Sequence, residues 1–122
     1  MNEENLFLQI NKAKDMKNLT DLEKKHLPII DCPSTVKKGE PFEVKIEVGK
    51  LLKHPNENIH YIEWIELFAD DHLFISKVEL IPVVGSPKVT LTISLNESHT
   101  LKARERCNLH GIWEYAKEVK VK

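Results

Sequence analysis

Residues 40–49 read EPFEVKIEVG, and in this stretch a large apolar side chain stands at every second position. Such alternation is typical of a β-strand with one face in the protein core and the other face in water. Residues 88–95, KVTLTISL, repeat the pattern with threonine and serine as the intervening polar residues. Both stretches predict half-buried strands, and they favour an all-β fold.

Five further stretches have the composition of short strands, and turn signals such as KKGEP, ADD, GSP and NES separate the predicted strands. They are residues 28–32, 60–68, 73–80, 100–107 and 113–121. Seven short strands predict a β-sandwich of immunoglobulin-like architecture. Helical spacing is confined to residues 4–16, ENLFLQINKAKDM, where Leu6, Ile10 and Ala13 would form a short amphipathic face. We therefore expect a short N-terminal segment that is helical or irregular.

Length and charge exclude several classes of protein. The 122 residues predict a single domain, residues 1–122, in which residues 1–21 form an N-terminal extension. With 18 basic and 19 acidic residues, the chain has no net field that would draw it to nucleic acid or to a membrane surface. No apolar run approaches the ~20 residues that span a bilayer, and two cysteines are few for a secreted disulfide scaffold. We therefore expect a soluble, cytoplasmic protein with reduced thiols.

The stretch CNLHG, residues 107–111, sets a cysteine and a histidine three positions apart, followed by a glycine that permits a tight bend. Three of the other five histidines, His26, His54 and His60, stand in EKKHLP and KHPNENIHY. A lone histidine is more often a surface or hydrogen-bonded residue than a metal ligand, and we assign that ordinary role to His72 and His99.

A set of four imidazoles and one thiolate has a restrictive chemistry. Structural zinc almost always binds four ligands, so five ligands favour a transition metal with one position left open. Imidazole suits iron, copper, nickel or zinc. A blue-copper site would normally add a weak methionine ligand after the cysteine, but the two methionines, Met1 and Met16, lie far upstream of Cys107.

Three motifs together resemble the superoxide reductases of the neelaredoxin type, the family of the desulfoferrodoxin iron-binding domain. They are KHLP at residues 25–28, HPNENIHYIEWIEL at 54–67 and CNLHGIWE at 107–114. The resemblance extends from about residue 22 to residue 121. It implies one mononuclear iron per chain, with an axial thiolate from Cys107 and four equatorial histidines, His26, His54, His60 and His110.

The resemblance also implies a reaction, in which superoxide takes one electron and two protons and becomes hydrogen peroxide. A thiolate opposite the open position donates electron density that favours release of the peroxide. Lys25 stands where the family has a lysine thought to attract superoxide. The implied partners are a rubredoxin-like electron donor and further copies of the chain in a homotetramer. Two alternatives are a non-catalytic iron or electron-transfer module on the same sandwich and a metal-free interaction domain.

The sequence departs from the family at its Glu-Lys-His pattern. Lys24 stands where the family has a glutamate, and Glu23 comes one residue too early. In an extended chain, a shift of one residue turns a side chain to the opposite face, so we expect Glu23 to point away from the iron. We expect Lys53 and Arg104 to be solvated surface residues and Cys32 to be a small buried apolar residue.

Overall fold

The computed structural model describes residues 5–122, and in it two β-sheets pack face to face. The elements follow one another as a 3₁₀ turn (Leu6–Leu8), β1 (Ile10–Asn11), α1 (Asp21–His26), β2 (Pro28–Asp31), β3 (Thr35–Val36), β4 (Phe42–Val48), β5 (Ile62–Ala69), β6 (Leu73–Glu79), β7 (Lys88–Ile93), β8 (His99–Cys107) and β9 (Gly111–Val121).

The two alternating stretches that predicted the fold are hydrogen-bonded neighbours. β4 lies at the centre of a three-stranded sheet, β2-β4-β7, and Ile46 faces Ile30 on one side and Val89 on the other. The larger sheet has the order β1-β9-β8-β5-β6, with β3 paired to a further part of β9. All the pairings among β5, β6, β8 and β9 are antiparallel, whereas β1 and β3 each run parallel to β9.

The core lies between the two sheets and consists of the inward-facing alternate residues. Val44 and Ile46 from the smaller sheet and Leu67 and Leu101 from the larger one are completely buried. Burying each such side chain contributes roughly 1.5–3 kcal/mol, so this apolar layer is the main stabilising feature of the fold.

The prediction of a seven-stranded β-sandwich is confirmed, since each predicted strand corresponds to one of β2 and β4 to β9. The strands β1 and β3 were not predicted. Each has only two residues, and alternation over two residues gives no readable pattern.

Of the two forms predicted for the N-terminal segment, helical or irregular, the described residues up to Met16 take the irregular one. Leu6–Leu8 form a single 3₁₀ turn, Ile10 and Asn11 form β1, and Glu4 lies outside the described residues. The Asn11 side chain donates hydrogen bonds to the carbonyls of Leu6 (3.0 Å) and Ile112 (2.8 Å) and so ties this segment to β9. Tertiary pairing therefore overrides a weak helical pattern here.

The α-helix of the structure, α1, begins instead at a capping box. The Thr20 hydroxyl accepts a hydrogen bond from the Glu23 backbone N–H, and the Glu23 carboxylate accepts one from the Thr20 N–H. No helix within residues 5–122 is long and apolar enough to cross a membrane. The division into an N-terminal extension, residues 1–21, and a single domain stays a prediction.

Candidate metal centre

The predicted ligand residues lie in loops and strand ends that meet at one end of the sandwich. His26 is the last residue of α1, and His54 and His60 lie in the connection between β4 and β5. Cys107 ends β8, and His110 directly precedes β9, so the turn between two paired strands holds this cysteine and this histidine together.

The four imidazole rings form a closed cycle. Ring centroids are 4.8 Å apart for His26 and His54, 4.7 Å for His54 and His60, 5.2 Å for His60 and His110, and 4.9 Å for His110 and His26. All four neighbouring pairs meet edge to face. The structure therefore brings together four histidines that are far apart in the chain.

In two of the rings, a contact with a backbone carbonyl determines which nitrogen is free to bind a metal. Nδ1 of His26 lies 2.7 Å from the Leu22 carbonyl oxygen, and Nδ1 of His54 lies 2.6 Å from that of Pro55. Because a carbonyl oxygen only accepts hydrogen bonds, both Nδ1 atoms carry the proton and both Nε2 atoms keep a free lone pair. The Nε2 atoms of His26, His54 and His60 are buried and have no hydrogen-bond partner within residues 5–122. Orphaned buried acceptors of this kind fit a metal ion.

The thiol of Cys107 completes the cluster. Its Sγ lies 3.7 Å from Nδ1 of His110. The donor atoms of Cys107, His26, His60 and His110 all lie within 4.8 Å of one another, and His54 adjoins this group through its ring contacts with His26 and His60. Imidazole nitrogen and thiolate sulfur suit iron, copper or zinc rather than magnesium or calcium.

Burial holds three of the four imidazoles in the neutral form that binds metals. It lowers the pKa of His26 to about 3 and that of His54 to about 4, and it also lowers the pKa of His110. Burial has the opposite effect on the thiol and raises the pKa of Cys107 to about 11. A metal that binds this sulfur as thiolate must therefore displace its proton, whereas His26, His54 and His110 are already neutral.

The Cys107 to His110 turn is held rigidly by its neighbours. The Asn108 side chain donates to the Ile59 carbonyl (2.9 Å) and accepts from the Tyr61 N–H (2.9 Å), which joins this turn to the loop of His60. Gly111 has φ +81°, and a Cβ there would lie 2.4 Å from the Leu6 carbonyl oxygen. The described part of the N-terminal segment thus packs directly on the turn, and only glycine fits beneath it.

Trp113 supports two of the clustered histidines. Its ring stacks on His26, with centroids 5.1 Å apart and planes 25° apart, and its indole N–H donates to the His110 carbonyl (3.0 Å). Trp113 therefore has an orienting role, since the same side chain contacts one imidazole and fixes the backbone of another.

Basic residues near the cluster differ in their surroundings. Lys25 is half-buried beside the cluster, where its charge adds to the burial that lowers the pKa of His54 and His110. Lys53 is exposed. Arg104 and Arg106 lie on the outer face of β8 and pair with Glu114 (2.8 Å) and Glu63 (3.3 Å). Of these basic residues, Lys25 is the one whose charge acts on the pKa of the clustered histidines.

The Glu23 carboxylate accepts hydrogen bonds from two backbone N–H groups, one of them in the capping box. One oxygen accepts from the Thr20 N–H at 2.8 Å and the other from the Lys14 N–H at 3.1 Å. Burial acts to raise the pKa of Glu23, but these hydrogen bonds outweigh it and lower the pKa. The assumption of an extended chain around Glu23 is wrong, because the segment is helical and the helix cap determines where this side chain lies.

The residues assigned ordinary roles lie away from the four-histidine cycle. His99 is at the opposite end of β8, with Nδ1 2.7 Å from an Asp70 carboxylate oxygen, and His72 is exposed. Cys32 is a buried free cysteine that packs in the hydrophobic core, as expected.

Glu105 is a buried acid that sequence reasoning missed. It lies two residues before Cys107 on the same inward face of β8 and is 0% exposed. Neither carboxylate oxygen has a hydrogen-bond partner within residues 5–122, and burial raises the pKa of Glu105 well above its usual value. The signal in the sequence is its position, because Leu101, Ala103, Glu105 and Cys107 alternate as an inward-facing set.

Comparison with known proteins agrees with this geometry. Residues 18–116 match the family model described as Desulfoferrodoxin. This chain belongs to the desulfoferrodoxin family. A neelaredoxin of Megalodesulfovibrio gigas is 30% identical over 115 residues, which cover 80% of this chain and 88% of that protein. A protein of Methanocaldococcus jannaschii with superoxide reductase in its name is 44% identical over 108 residues, 85% of this chain and 90% of that protein.

A solved structure of the same family shares the fold. The superoxide reductase (neelaredoxin) from Ignicoccus hospitalis is 36% identical and superposes with a TM-score of 0.82, covering 93% of this chain and 95% of that one. The family membership expected from the three motifs and the β-sandwich expected from the seven strands are both confirmed.

Proposed function

We propose that this chain is a superoxide reductase, an oxidoreductase that reduces superoxide to hydrogen peroxide. The observation that carries the proposal is the cycle of four imidazoles with a cysteine sulfur beside it, in a chain of the desulfoferrodoxin family. The names of its relatives support the same activity.

We propose that the cluster holds one iron ion per chain. The proposed ligands are Nε2 of three histidines, Nδ1 of the fourth and the Cys107 sulfur; the histidines are His26, His54, His60 and His110. The free Nε2 atoms and the Nδ1 contact with the sulfur support this assignment. Bound here, iron supplies a one-electron couple between its ferrous and ferric states, with the thiolate as an electron-rich ligand.

The residues of the cluster and Lys25 have separate proposed roles, in metal binding and in attracting a small anion. Burial keeps His26, His54 and His110 neutral at pH 7, so they bind metal without competing for protons. The ammonium group of Lys25 is the proposed catalytic charge, which attracts superoxide to the cluster and assists its protonation. The net reaction consumes one superoxide, one electron and two protons for each hydrogen peroxide released.

The net reaction consumes one electron for each superoxide, so the electron must come from another molecule. We propose a rubredoxin-like protein as the donor, a homotetramer as the assembly and the cytoplasm as the location. These proposals rest on the resemblance stated above.

The proposal is tested by the stoichiometry of turnover. Purified protein loaded with iron and supplied with a reductant should consume superoxide and form one hydrogen peroxide for each, with no oxygen released. Metal analysis should find about one iron per chain. Iron binding without consumption of superoxide would instead identify a non-catalytic electron-transfer module, and a chain that binds no metal would refute both.

A further inference from the structure

The loop that carries His54 and His60 connects β4 to β5 and lies outside the strands of both sheets. Within it, Glu57 and His60 exchange two backbone hydrogen bonds, of 2.9 Å and 3.1 Å. A loop without strand pairing has many conformations open to it, and holding one of them costs conformational entropy. The positions of two of the five proposed ligands therefore depend on the contacts that hold this loop.

The Asn56 side chain joins the loop to the turn between β6 and β7. Its Oδ1 accepts a hydrogen bond from the Val83 N–H (2.8 Å), and its Nδ2 donates to the carbonyls of Val83 and Gly85 (3.2 Å each). Both donors of the amide and its acceptor oxygen are thus used. Asn58, two residues further along, is exposed, and its side chain forms no hydrogen bond with residues 5–122. We call the three bonds of Asn56 the Asn56 clamp.

The clamp holds a backbone conformation that is unfavourable by itself. Val83 has φ +70°, and left-handed backbone is an outlier for a β-branched residue because its side chain crowds the following carbonyl. The Val83 side chain is 56% exposed, so packing contributes little to holding this conformation. Both backbone polar groups of Val83 bond to Asn56. The clamp and the turn therefore stabilise each other.

His54 lies at the other end of this anchored stretch. A Cβ at Gly49, where φ is +87°, would lie 2.7 Å from the His54 backbone nitrogen, so the chain closes tightly just before the histidine. Directly after it, the Pro55 carbonyl holds the ring through Nδ1 (2.6 Å). Asn56 follows and fixes the end of the stretch to the β6–β7 turn. The backbone on both sides of His54 is thus held in place.

His54 differs from the other four proposed ligands in its position. The other four donor atoms already lie within 4.8 Å of one another; they belong to His26, His60, Cys107 and His110. Three imidazoles and one thiolate are a set on which tetrahedral zinc can close without a further ligand. The placement of His54 therefore decides whether the cluster offers four donors or five.

We propose that Asn56 is a positioning residue that keeps His54 within reach of the other four donors and so gives the cluster its fifth donor. Without the clamp, the loop relaxes and the four remaining donors form a site that suits zinc. The proposal rests on the metal cluster of the proposed function. It adds that a residue two positions from His54, and not itself a ligand, determines the number of ligands and hence which metals the site favours.

Cobalt(II) is the probe for this proposal, because its visible bands are weaker with five ligands than in a tetrahedral site with four. Asn56→Ala should strengthen these bands and give the spectrum of His54→Gln, which removes the fifth donor outright. Competition with a chelator should show cobalt binding weakened about tenfold. Zinc binding should weaken less, so the ratio of zinc to cobalt affinity should rise.

The matched control is Asn58→Ala, which removes an amide from the same loop and should keep the cobalt spectrum of the unaltered chain. A merely structural role for Asn56 would lower the melting temperature of Asn56→Ala and leave the spectrum of its folded form unchanged. That result would overturn the proposal, as would an equal spectral change in the Asn58 variant.

Amide hydrogen exchange measures the clamp without any substitution. In the metal-free, unaltered chain the Val83 N–H should exchange slowly, because Asn56 Oδ1 is its acceptor. Free exchange there would overturn the proposal even if Asn56→Ala does not fold. None of these measurements involves superoxide. A chain that gives the expected spectra and exchange but does not reduce superoxide would support the role of Asn56 and refute the enzymatic activity.

Discussion

β8 begins at His99 and ends at Cys107 of the candidate metal site. The histidines near its two ends have different hydrogen-bond partners. At the first end, Nδ1 of His99 faces the Asp70 carboxylate, with Glu97 3.8 Å from its other nitrogen. At the far end, His26 and His54 donate to backbone carbonyls and keep buried, unpartnered Nε2 atoms.

The difference shows that the partner of an imidazole decides its role more than its presence in a loop. At His99 a carboxylate lies beside each ring nitrogen, Asp70 at Nδ1 and Glu97 at Nε2, so neither nitrogen faces an empty space lined by other metal donors. A neutral carbonyl fixes the tautomer without favouring the charge and leaves the second nitrogen available.

The largest effect is expected at the sulfur. Cys107→Ser replaces a soft thiolate donor by a hard hydroxyl, so the thiolate-to-iron absorption band in the red should disappear and superoxide turnover should fall at least about a hundredfold. The visible spectrum of the oxidised protein measures the first effect. Cys32→Ser is the matched control and should keep both colour and activity. Unchanged colour in the Cys107 variant would refute the ligand assignment.

The next prediction compares histidines from the two ends. His54→Gln removes a free buried Nε2 and should lower iron affinity about tenfold or more, measured by competition with a chelator. His99→Gln removes a carboxylate-paired imidazole and should leave iron affinity unchanged. Equal losses in both variants would mean that the cluster depends on overall folding stability and not on its own nitrogens.

Lys25 is expected to have an intermediate effect on rate. Lys25→Ala should slow the reaction with superoxide about tenfold at low salt, and the deficit should shrink as salt screens the remaining field. Pulse radiolysis at several ionic strengths measures it. Lys120→Ala, an exposed lysine at the His99 end of the sandwich, is the control and should have the rate of the unaltered chain. A deficit that does not vary with salt would indicate proton delivery instead of attraction.

A substitution at Glu23 distinguishes a role in helix capping from a role in metal binding. Glu23→Ala removes the carboxylate hydrogen bonds to Thr20 and Lys14 and should lower the free energy of unfolding by about 1 kcal/mol in urea titrations. The oxidised spectrum and the superoxide rate should stay nearly unchanged. Glu43→Ala, at an exposed position of β4, controls for the loss of a negative charge. A spectral shift, with a moved pH transition of the ferric state, would show that Glu23 reaches the iron.

The smallest effect is expected at Asp70. The hydrogen bond from His99 is the main cause of a lowered pKa at Asp70, and the Thr100 N–H contributes as well. A carboxyl whose folded-state pKa is lowered stabilises the fold above its usual pKa of about 4, and this contribution disappears as the pH falls through the lowered value.

Asp70→Asn should therefore lower the melting temperature by about 1–3 °C at pH 7, and the difference from the unaltered chain should vanish in strong acid. Asparagine tolerates the positive φ of this position, 55°, so the backbone is not an added cause. A difference that persists at low pH would mean that the Asp70 contribution is not one of charge.

Short-range patterns were enough for most of the architecture. The period of two in residues 40–49 predicted β4, which the structure has at Phe42–Val48, because each inward residue is apolar and each outward residue is polar. The same reasoning could not decide between a helical and an irregular form for residues 4–16, where Asn11 binds carbonyls from β9 and the N-terminal segment. A bond between residues 101 positions apart leaves no periodic trace in the sequence.

Some features of the candidate site could likewise be predicted from the sequence, and others could not. The family motifs singled out the five clustered residues, and the spacing of Cys107 and His110 already indicated a tight turn. The orienting contacts of Trp113, the rigid link through Asn108 and the buried carboxyl of Glu105 emerged only from the folded chain. Each depends on which residues of distant loops become neighbours.

The alternating strands, the family and the residue types of the cluster can be read along the chain, because these are properties of local pattern and motif. Which nitrogens are free, which charges are paired and which polar side chains are buried can be read only from the folded chain. Those properties depend on burial and on the direction of individual hydrogen bonds, and both arise only when segments far apart in the chain pack together. Glu23 is the clearest case, because the helix cap at Thr20 engages its carboxylate.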